Sequence, residues 1–297
     1  MKLTFIGLGV MGPMAKNLIQ SGAFEVRVFD IDAEKSRALD ALGGTACDSI
    51  SDAVRDAEIV MTSLPGPKQV AEVAYDLGLF DNLPAGSVWI DLSTNNLEVC
   101  QRLVATASAL GVDYLDAPVS GGDEGAQAGK LTILVGGDDA AYQRYLPVLQ
   151  VIGESISHLG PNGAGYSAKI AQVVLCYLHS LALSEALMLG IKGGVGHEQM
   201  LSIIQNSTGK SYVANRYGPS MLNGDYDPSF TVGLAHKDMF LAMEMAENLG
   251  ITLPMCDLTT RTYSRAVEAY GFGANHLKAI RLLEEDNHTF LHQPLTR

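Results

Sequence analysis

Six residues near the amino terminus, Gly7-Leu8-Gly9-Val10-Met11-Gly12, follow the apolar run LTFI and open a helical pattern. A GxGxxG turn between strand and helix permits a tight bend at its first glycine, close approach of a pyrophosphate at its second, and close helix packing at its third. The helix amides and dipole then face the phosphates. The next β-branched run, EVRVF, ends at Asp30, where a carboxylate accepts hydrogen bonds from the adenosine ribose hydroxyls and repels a 2′-phosphate. Ile31 and Asp32 follow, with no Arg to neutralise such a phosphate. The pattern predicts a nucleotide fold binding NAD in preference to NADP.

The strand rhythm continues through EIVMTSL, SVWID and VDYLDAP, each followed by Gly, Pro or polar punctuation and a helix-period segment. That alternation predicts a doubly wound parallel sheet of βαβ units. LTILVGG and SISHLG are further strand signals, expected to extend the same sheet. After Gly160-Pro161-Asn162-Gly163 they stop, and apolar residues recur at helical spacing from Ala164 to Ile191. A chain of 297 residues exceeds the usual domain. The expected organisation is therefore α/β: a Rossmann-type domain over 1–162, an all-helical domain over 163–285 joined through a long interdomain helix, and a loose tail over 286–297.

Apolar residues make up 47% and charged residues 18% of the chain, which excludes disorder and coiled coil. The net charge of −13 is a poor match for nucleic acid or anionic membrane. Val173 to Gly190 is interrupted by His179, Ser180, Ser184 and Glu185, which points to a buried helix rather than a membrane span. Cys47, Cys100, Cys176 and Cys256 form no CxxC pair, and the histidines lack metal-ligand spacing, so no zinc site is expected and a reducing cytoplasm is the natural compartment.

With the loop placed, four ordered segments become recognisable: GLGVMGPMAKNL, DAPVSGGDEGAQAGKLTILVGG, NGAGYSAK and FTVGLAHKDMFLAM. Together they resemble the 3-hydroxyisobutyrate dehydrogenase family of β-hydroxyacid dehydrogenases, from Lys2 to about Leu283. The resemblance implies an NAD-dependent oxidoreductase interconverting a small 3-hydroxy acid and its semialdehyde or keto form, in a cleft between the two domains. It implies Lys169 as general acid/base, and Ser120, Gly121 and Gly122 as the receptor for the substrate carboxylate. A hydroxyl beside two glycine amides makes a small anion nest. For the cofactor it implies Leu64, Pro65, Gln69 and Thr94 beside the glycine loop, with Phe230 and Lys237 from the helical half. Family members are dimers or tetramers, so a homo-oligomer is expected.

The chain departs from the family where Asn usually stands four residues after the lysine, and often three after as well. Val173 and Gln172 occupy those places. Either Gln172 takes over the substrate contact or the pocket is refitted for a less polar substrate. The turn Ser207 to Ser211 resembles the family's substrate-pocket turn, where Lys210 can meet a second anionic group. Gly209-Lys210-Ser211 is not a P-loop, because Ile204 stands where the earlier glycine is required. His179 is expected to be a core histidine, and Met239, Leu241, Met243 and Met245 core filling. Two rivals remain: a reductase of another carbonyl or an imine, and a dinucleotide-binding module without catalysis. The presence of Lys169 argues against both.

Overall fold

The computed structural model describes residues 1–292. The chain divides into two compact units that meet at Lys169 and Ile170. The expected boundary of 162/163 lies just before the long helix, whose first turns make their contacts with the first unit.

The first unit opens β1 (Lys2–Ile6), α1 (Pro13–Gln20), β2 (Glu25–Phe29), α2 (Ala33–Asp40), β3 (Thr45–Ala46), α3 (Ile50–Val54) and β4 (Ile59–Thr62). It continues α4 (Pro67–Ala71), α5 (Leu79–Asn82), β5 (Val88–Asp91), α6 (Leu97–Ala109) and β6 (Asp113–Asp116), with a π-helical turn at Glu72–Asp76. Then come β7 (Val119–Ser120), α7 (Gly122–Ala128), β8 (Leu131–Val135), α8 (Asp139–Leu149) and β9 (Gly153–His158). The first six strands form one parallel sheet in the order β3-β2-β1-β4-β5-β6, the dinucleotide-binding order expected from the loop. Phe5 pairs with Val28 on one side and Met61 on the other. Strand side chains alternate between faces: Leu3, Phe5, Ile59 and Ile90 feed one apolar core, while Ile6, Val60 and Trp89 feed the other. Helices therefore cover both sides, which explains the near-continuous apolar strands.

The later strands do not extend this sheet, contrary to expectation. β7, β8 and β9 form a separate sheet, β7 antiparallel and β9 parallel to β8. An isolated bridge between Asp116 and Gly136 links it to β6. A Cβ at Gly137 would lie 2.5 Å from Leu115 Cδ2. β8 thus crosses the β6 edge at glycines instead of running alongside it.

The helix α9 (Ala164–Lys192) begins in the first unit. The second unit adds α10 (His197–Gln205), α11 (Tyr212–Arg216), α12 (Gly218–Asn223), α13 (Val232–Asn248), α14 (Pro254–Tyr270), a 3₁₀ turn at His276–Ile280 and α15 (Arg281–Asp286). Among the described residues α9 is the one helix long and apolar enough to cross a bilayer. Part of its apolar surface is divided between two cores of the helical unit, Ile170, Val174 and Tyr177 in one and Leu183, Leu187 and Met188 in the other, while Leu175 and Leu189 are exposed. Met239 and Leu241 are buried in the first of these, with Met243 and Met245 packed against it, whereas His179, expected in the core, is exposed. The tail also differs from expectation: Leu291 is fully buried and its amide donates to Glu284 Oε1. The remainder of the tail, 293–297, lies outside the described residues.

Candidate active site

The glycine loop leaves β1 at the switch point of the sheet, beside the loop after β4. Gly7 adopts φ +92°, and a Cβ there would lie 2.3 Å from the Ser63 carbonyl oxygen. Only glycine permits that contact. At Gly12 a Cβ would meet the Leu8 carbonyl at 2.9 Å, whereas one at Gly9 would meet nothing within 4 Å. The second glycine thus faces open space, as a pyrophosphate cradle requires. Gly12 donates to Gly9 O, while the amides of Gly9, Val10 and Met11 donate to no backbone carbonyl among the described residues. Asp30 Oδ2 accepts from the Leu8 amide at 2.6 Å and Oδ1 from the Asp32 amide at 2.9 Å. Each carboxylate oxygen keeps a lone pair for a hydroxyl. Ile31 is 92% exposed, and Lys35, five residues after Asp30 in the chain, lies 3.9 Å from Asp32. The residues present fit NAD.

Leu64 and Thr94 flank the same edge, half-buried, with Pro65 exposed and Gln69 half-buried on α4. The Leu64 amide donates to Ser93 Oγ at 2.9 Å. Ser93 Oγ in turn donates to Asp91 Oδ1 at 2.6 Å. The loops after β4 and β5 are therefore tied together through a buried carboxylate.

Lys169 is half-buried on the second turn of α9. The start of this helix is fixed by Asp116, whose Oδ1 accepts from the Gly163 amide at 2.8 Å and whose Oδ2 accepts from the Tyr166 amide at 3.2 Å. Carboxylates belong at helix amino termini. A Cβ at Gly165 would lie 2.3 Å from Leu134 O and 2.6 Å from Asp116 O, so the helix sits directly on the backbone of β6 and β8. Tyr166 is fully buried and donates through its hydroxyl to Asp91 Oδ2 at 2.5 Å. Tyr114 Oη lies 2.7 Å from Tyr166 Oη, and Thr62 Oγ1 donates to Asp91 at 2.8 Å while accepting from Trp89 Nε1 at 2.9 Å. Burial pushes the carboxyls of Asp91 and Asp116 above the usual carboxylate range, against the pull of these donors. It also holds the Tyr166 hydroxyl well above its ordinary value.

Ser120 ends β7, paired with Thr132. Gly121 and Gly122 follow with φ +132° and +63°, a backbone that side chains rarely adopt. In the helical unit Lys237, on α13, pairs with Asp238 at 2.9 Å, and Asp238 accepts from Tyr177 Oη at 2.7 Å. Phe230 precedes α13, its carbonyl accepting from the His276 amide at 3.0 Å. His276 is itself buried, its Nδ1 2.9 Å from Asp227 Oδ2. Burial pushes the Asp227 carboxyl up, but His276 and the Ser229 donors beside it hold it below the usual range. Lys210 is exposed, its amide donating to Ser207 O at 3.1 Å. Ser211 then caps α11. Gln172 is exposed and Val173 is buried in the helical core.

The reading of the sequence missed Asp91, Asp116 and Tyr166. One signal was present: EVRVFD, SVWID and VDYLD all end on Asp at a strand's carboxyl end, where ligands and helix starts of an open α/β sheet converge.

The NAD-binding domain of 6-phosphogluconate dehydrogenase matches residues 2–160. A second domain model, described as NAD-binding of NADP-dependent 3-hydroxyisobutyrate dehydrogenase, matches 163–283. The 2-(hydroxymethyl)glutarate dehydrogenase of Eubacterium barkeri is 37% identical over 94% of this chain and 93% of its own. The 3-hydroxyisobutyrate dehydrogenase of Pseudomonas aeruginosa is 34% identical over 90% and 92%. Among solved structures, Mycobacterium tuberculosis 3-hydroxyisobutyrate dehydrogenase with L-serine superposes with a TM-score of 0.86 at 30% identity, covering 95% of this chain and 98% of that one.

Proposed function

The chain belongs to the 3-hydroxyisobutyrate dehydrogenase family and is an NAD-dependent dehydrogenase, and we propose that it interconverts a small 3-hydroxy acid and its semialdehyde or keto form with Lys169 as the general acid/base. The observation that carries this reading is the placement of Lys169, half-buried beside Ile170 on a helix start anchored to the same sheet edge as the glycine loop. NAD, when bound, accepts or returns the hydride. Lys169 Nζ takes the hydroxyl proton during oxidation and gives it back to the carbonyl oxygen during reduction. Ser120 Oγ and the amides of Gly121 and Gly122 hold the carboxylate. The loop amides, Asp30, Leu64, Pro65, Gln69 and Thr94 hold the dinucleotide, and Lys237 and Phe230 serve it from the helical unit.

A second substrate reading rests on Lys210. An exposed ammonium on a capped turn suits a second carboxylate, and a relative 37% identical is named for a dicarboxylate, 2-(hydroxymethyl)glutarate. A panel of 3-hydroxyisobutyrate, L-serine and 2-(hydroxymethyl)glutarate, followed by NADH absorbance in both directions, tests both readings. Turnover of none of these or of other 3-hydroxy acids would refute the first. Loss of dicarboxylate preference in Lys210→Ala is the outcome expected of the second. Leu175, Leu189, Phe240 and Leu258 of the helical unit are 50%, 78%, 52% and 52% exposed, which supports a homodimer or homotetramer, measurable by light scattering. The free cysteines support a reducing compartment such as the cytoplasm.

A further inference from the structure

Tyr166 and Lys169 are neighbours at i and i+3 on α9, adjacent on the helix surface. A helix start is ordinarily held by one capping group. This one is held at three places, and all three converge on Tyr166 or the residues just before it. Asp116 accepts from the Gly163 and Tyr166 amides, Gly165 rests on the backbone of β6 and β8, and the Tyr166 hydroxyl reaches Asp91. The first two fix where the helix begins. The third fixes its rotation, because a hydroxyl at the end of a long side chain, bound to a fixed carboxylate, resists turning about the helix axis.

Asp91 is also the group that receives Ser93, and through Ser93 Oγ it holds the Leu64 amide. Its Oδ1 accepts from Thr62 Oγ1, Ser93 N and Ser93 Oγ, and its Oδ2 from Tyr166. One buried carboxylate thus joins the loop after β4, the loop after β5 and the helix bearing Lys169. Four donors on one carboxylate stabilise its charge against burial, and Tyr114 as donor to the Tyr166 oxygen orients the Tyr166 proton toward Asp91. We propose that Tyr166 is a positioning residue for Lys169, transmitting the geometry of the Asp91 carboxylate at the sheet edge to the lysine one turn further along α9. This rests on the acid/base reading of Lys169. Positioning of this kind matters because misplacement of a reacting group by about 1 Å can lower turnover by as much as a hundredfold.

The test is Tyr166→Phe in the full chain, alone and combined with Lys169→Ala, measured on whichever of 3-hydroxyisobutyrate, L-serine and 2-(hydroxymethyl)glutarate turns over fastest. Phe keeps the ring and loses only the hydroxyl. Turnover should fall about tenfold while the NADH dissociation constant stays within about twofold, as expected when only a transition-state interaction is lost. In the Lys169→Ala background the same change should cost less than about twofold, since there is no lysine left to position. An equal loss in both backgrounds, or no loss in the first, overturns the inference while leaving the lysine reading intact. Retention of turnover by Lys169→Ala alone overturns both.

A readout independent of substrate is the titration of the lysine ammonium groups by NMR in enzyme labelled at lysine. The Lys169 signal should move by at least about half a pH unit in Tyr166→Phe while that of Lys237 stays, because a shifted lysine changes its burial and neighbours. An unmoved Lys169 signal overturns the inference. Should Tyr166→Phe not fold, Tyr114→Phe, which removes the donor that orients the Tyr166 hydroxyl toward Asp91, is the second variant. It is expected to lower turnover in the same direction by a smaller factor and to shift the Lys169 signal alone; no change in either overturns the inference.

Discussion

The glycine loop at Gly7–Gly12 and the lysine turn at Gly163–Lys169 are built on one plan and used in two ways. Each lies at the carboxyl edge of the sheet. Each has a glycine pressed onto a neighbouring carbonyl at 2.3 Å from where its Cβ would be, Gly7 onto Ser63 and Gly165 onto Leu134. Each has a strand-ending aspartate that accepts from a loop amide, Leu8 to Asp30 at 2.6 Å and Gly163 to Asp116 at 2.8 Å. The difference is exposure. Asp30 is half-buried and keeps acceptor capacity for a ligand, whereas Asp116 is fully buried and has only the protein to serve. The same local chemistry makes a binding site where water can reach it and a structural anchor where water cannot.

The sharpest way to break this comparison is to add a methyl group at each glycine. Gly165→Ala drives a Cβ into backbone that cannot move aside, so α9 must shift; turnover should drop by on the order of a hundredfold, with a lowered melting temperature. Gly7→Ala meets the same distance with φ +92° added. It should weaken NADH binding by on the order of a hundredfold, because the loop itself is the site. Calorimetric titration of NADH separates them: Gly165→Ala should bind nearly as the parent does. Equal loss of binding would show that the two turns are not independent.

Lys169→Ala asks whether the anchored helix presents a catalytic group. Turnover should fall by roughly a hundredfold or more with NADH affinity nearly intact. Steady-state rates beside NADH titration check this, and a variant retaining most of its turnover would remove the lysine from the chemistry.

These two turns also show what a sequence can and cannot disclose. GxGxxG, a β-branched run and an acid are local, and their order alone placed the loop between β1 and α1 and put Asp30 directly after β2. The parallel sheet and the helical second half follow from periodicities of two and of three to four residues, which need no partner to be seen. Tyr166 was invisible because its meaning depends on Asp91 and Asp116, remote in the chain and joined to it only by folding. The second sheet was misassigned for a related reason: LTILVGG is a good strand in any sheet, and which edge it pairs with is decided by the crossing at Gly136 and Gly137. His179 was misplaced because an apolar stretch reads as buried all round, while α9 exposes Ala171, Gln172, Leu175 and His179 on one side.

Asp30 sharpens the comparison from the exposed side. Its remaining acceptors should select NAD over NADP by at least about tenfold in kcat/KM, equivalent to roughly 1.4 kcal/mol. Asp30→Ala should narrow the ratio to about threefold or less and also loosen the loop through the lost Leu8 contact, so both dinucleotides should bind more weakly. A parent enzyme that uses both equally would place the acid away from the ribose.

The buried counterpart is tested by pH. Because burial raises the Asp116 pKa, the folded state binds that proton more tightly than the unfolded chain. Stability from this group is therefore greatest below the unfolded value near 4 and declines as pH rises toward the folded pKa, with a slope of at most about 1.4 kcal/mol per pH unit. Asp116→Asn should remove that component of the slope, whatever it does to absolute stability. Denaturant midpoints from pH 3.5 to 8 measure it. An unchanged slope would mean that the carboxyl is solvated.

The smallest expected effect lies just beyond the lysine, where Gln172 and Val173 replace the family's asparagines. The two side chains have unlike surroundings: Gln172 is exposed, whereas Val173 is packed with Ile170, Tyr177 and Met239 in the helical core. An asparagine at 173 would bury an amide in an apolar cluster, at about 1 to 3 kcal/mol without partners. Val173→Asn should therefore lower the melting temperature and not improve activity on 3-hydroxyisobutyrate or L-serine. Gln172 is one helical turn from Lys169 and open to solvent, so its amide is free to meet a ligand at no folding cost. If it holds substrate, Gln172→Ala should raise KM about three- to tenfold with kcat within about twofold, the signature of lost uniform binding. Unchanged KM, together with a stable and more active Val173→Asn, would reverse the assignment and place the substrate contact at 173, where the family has it.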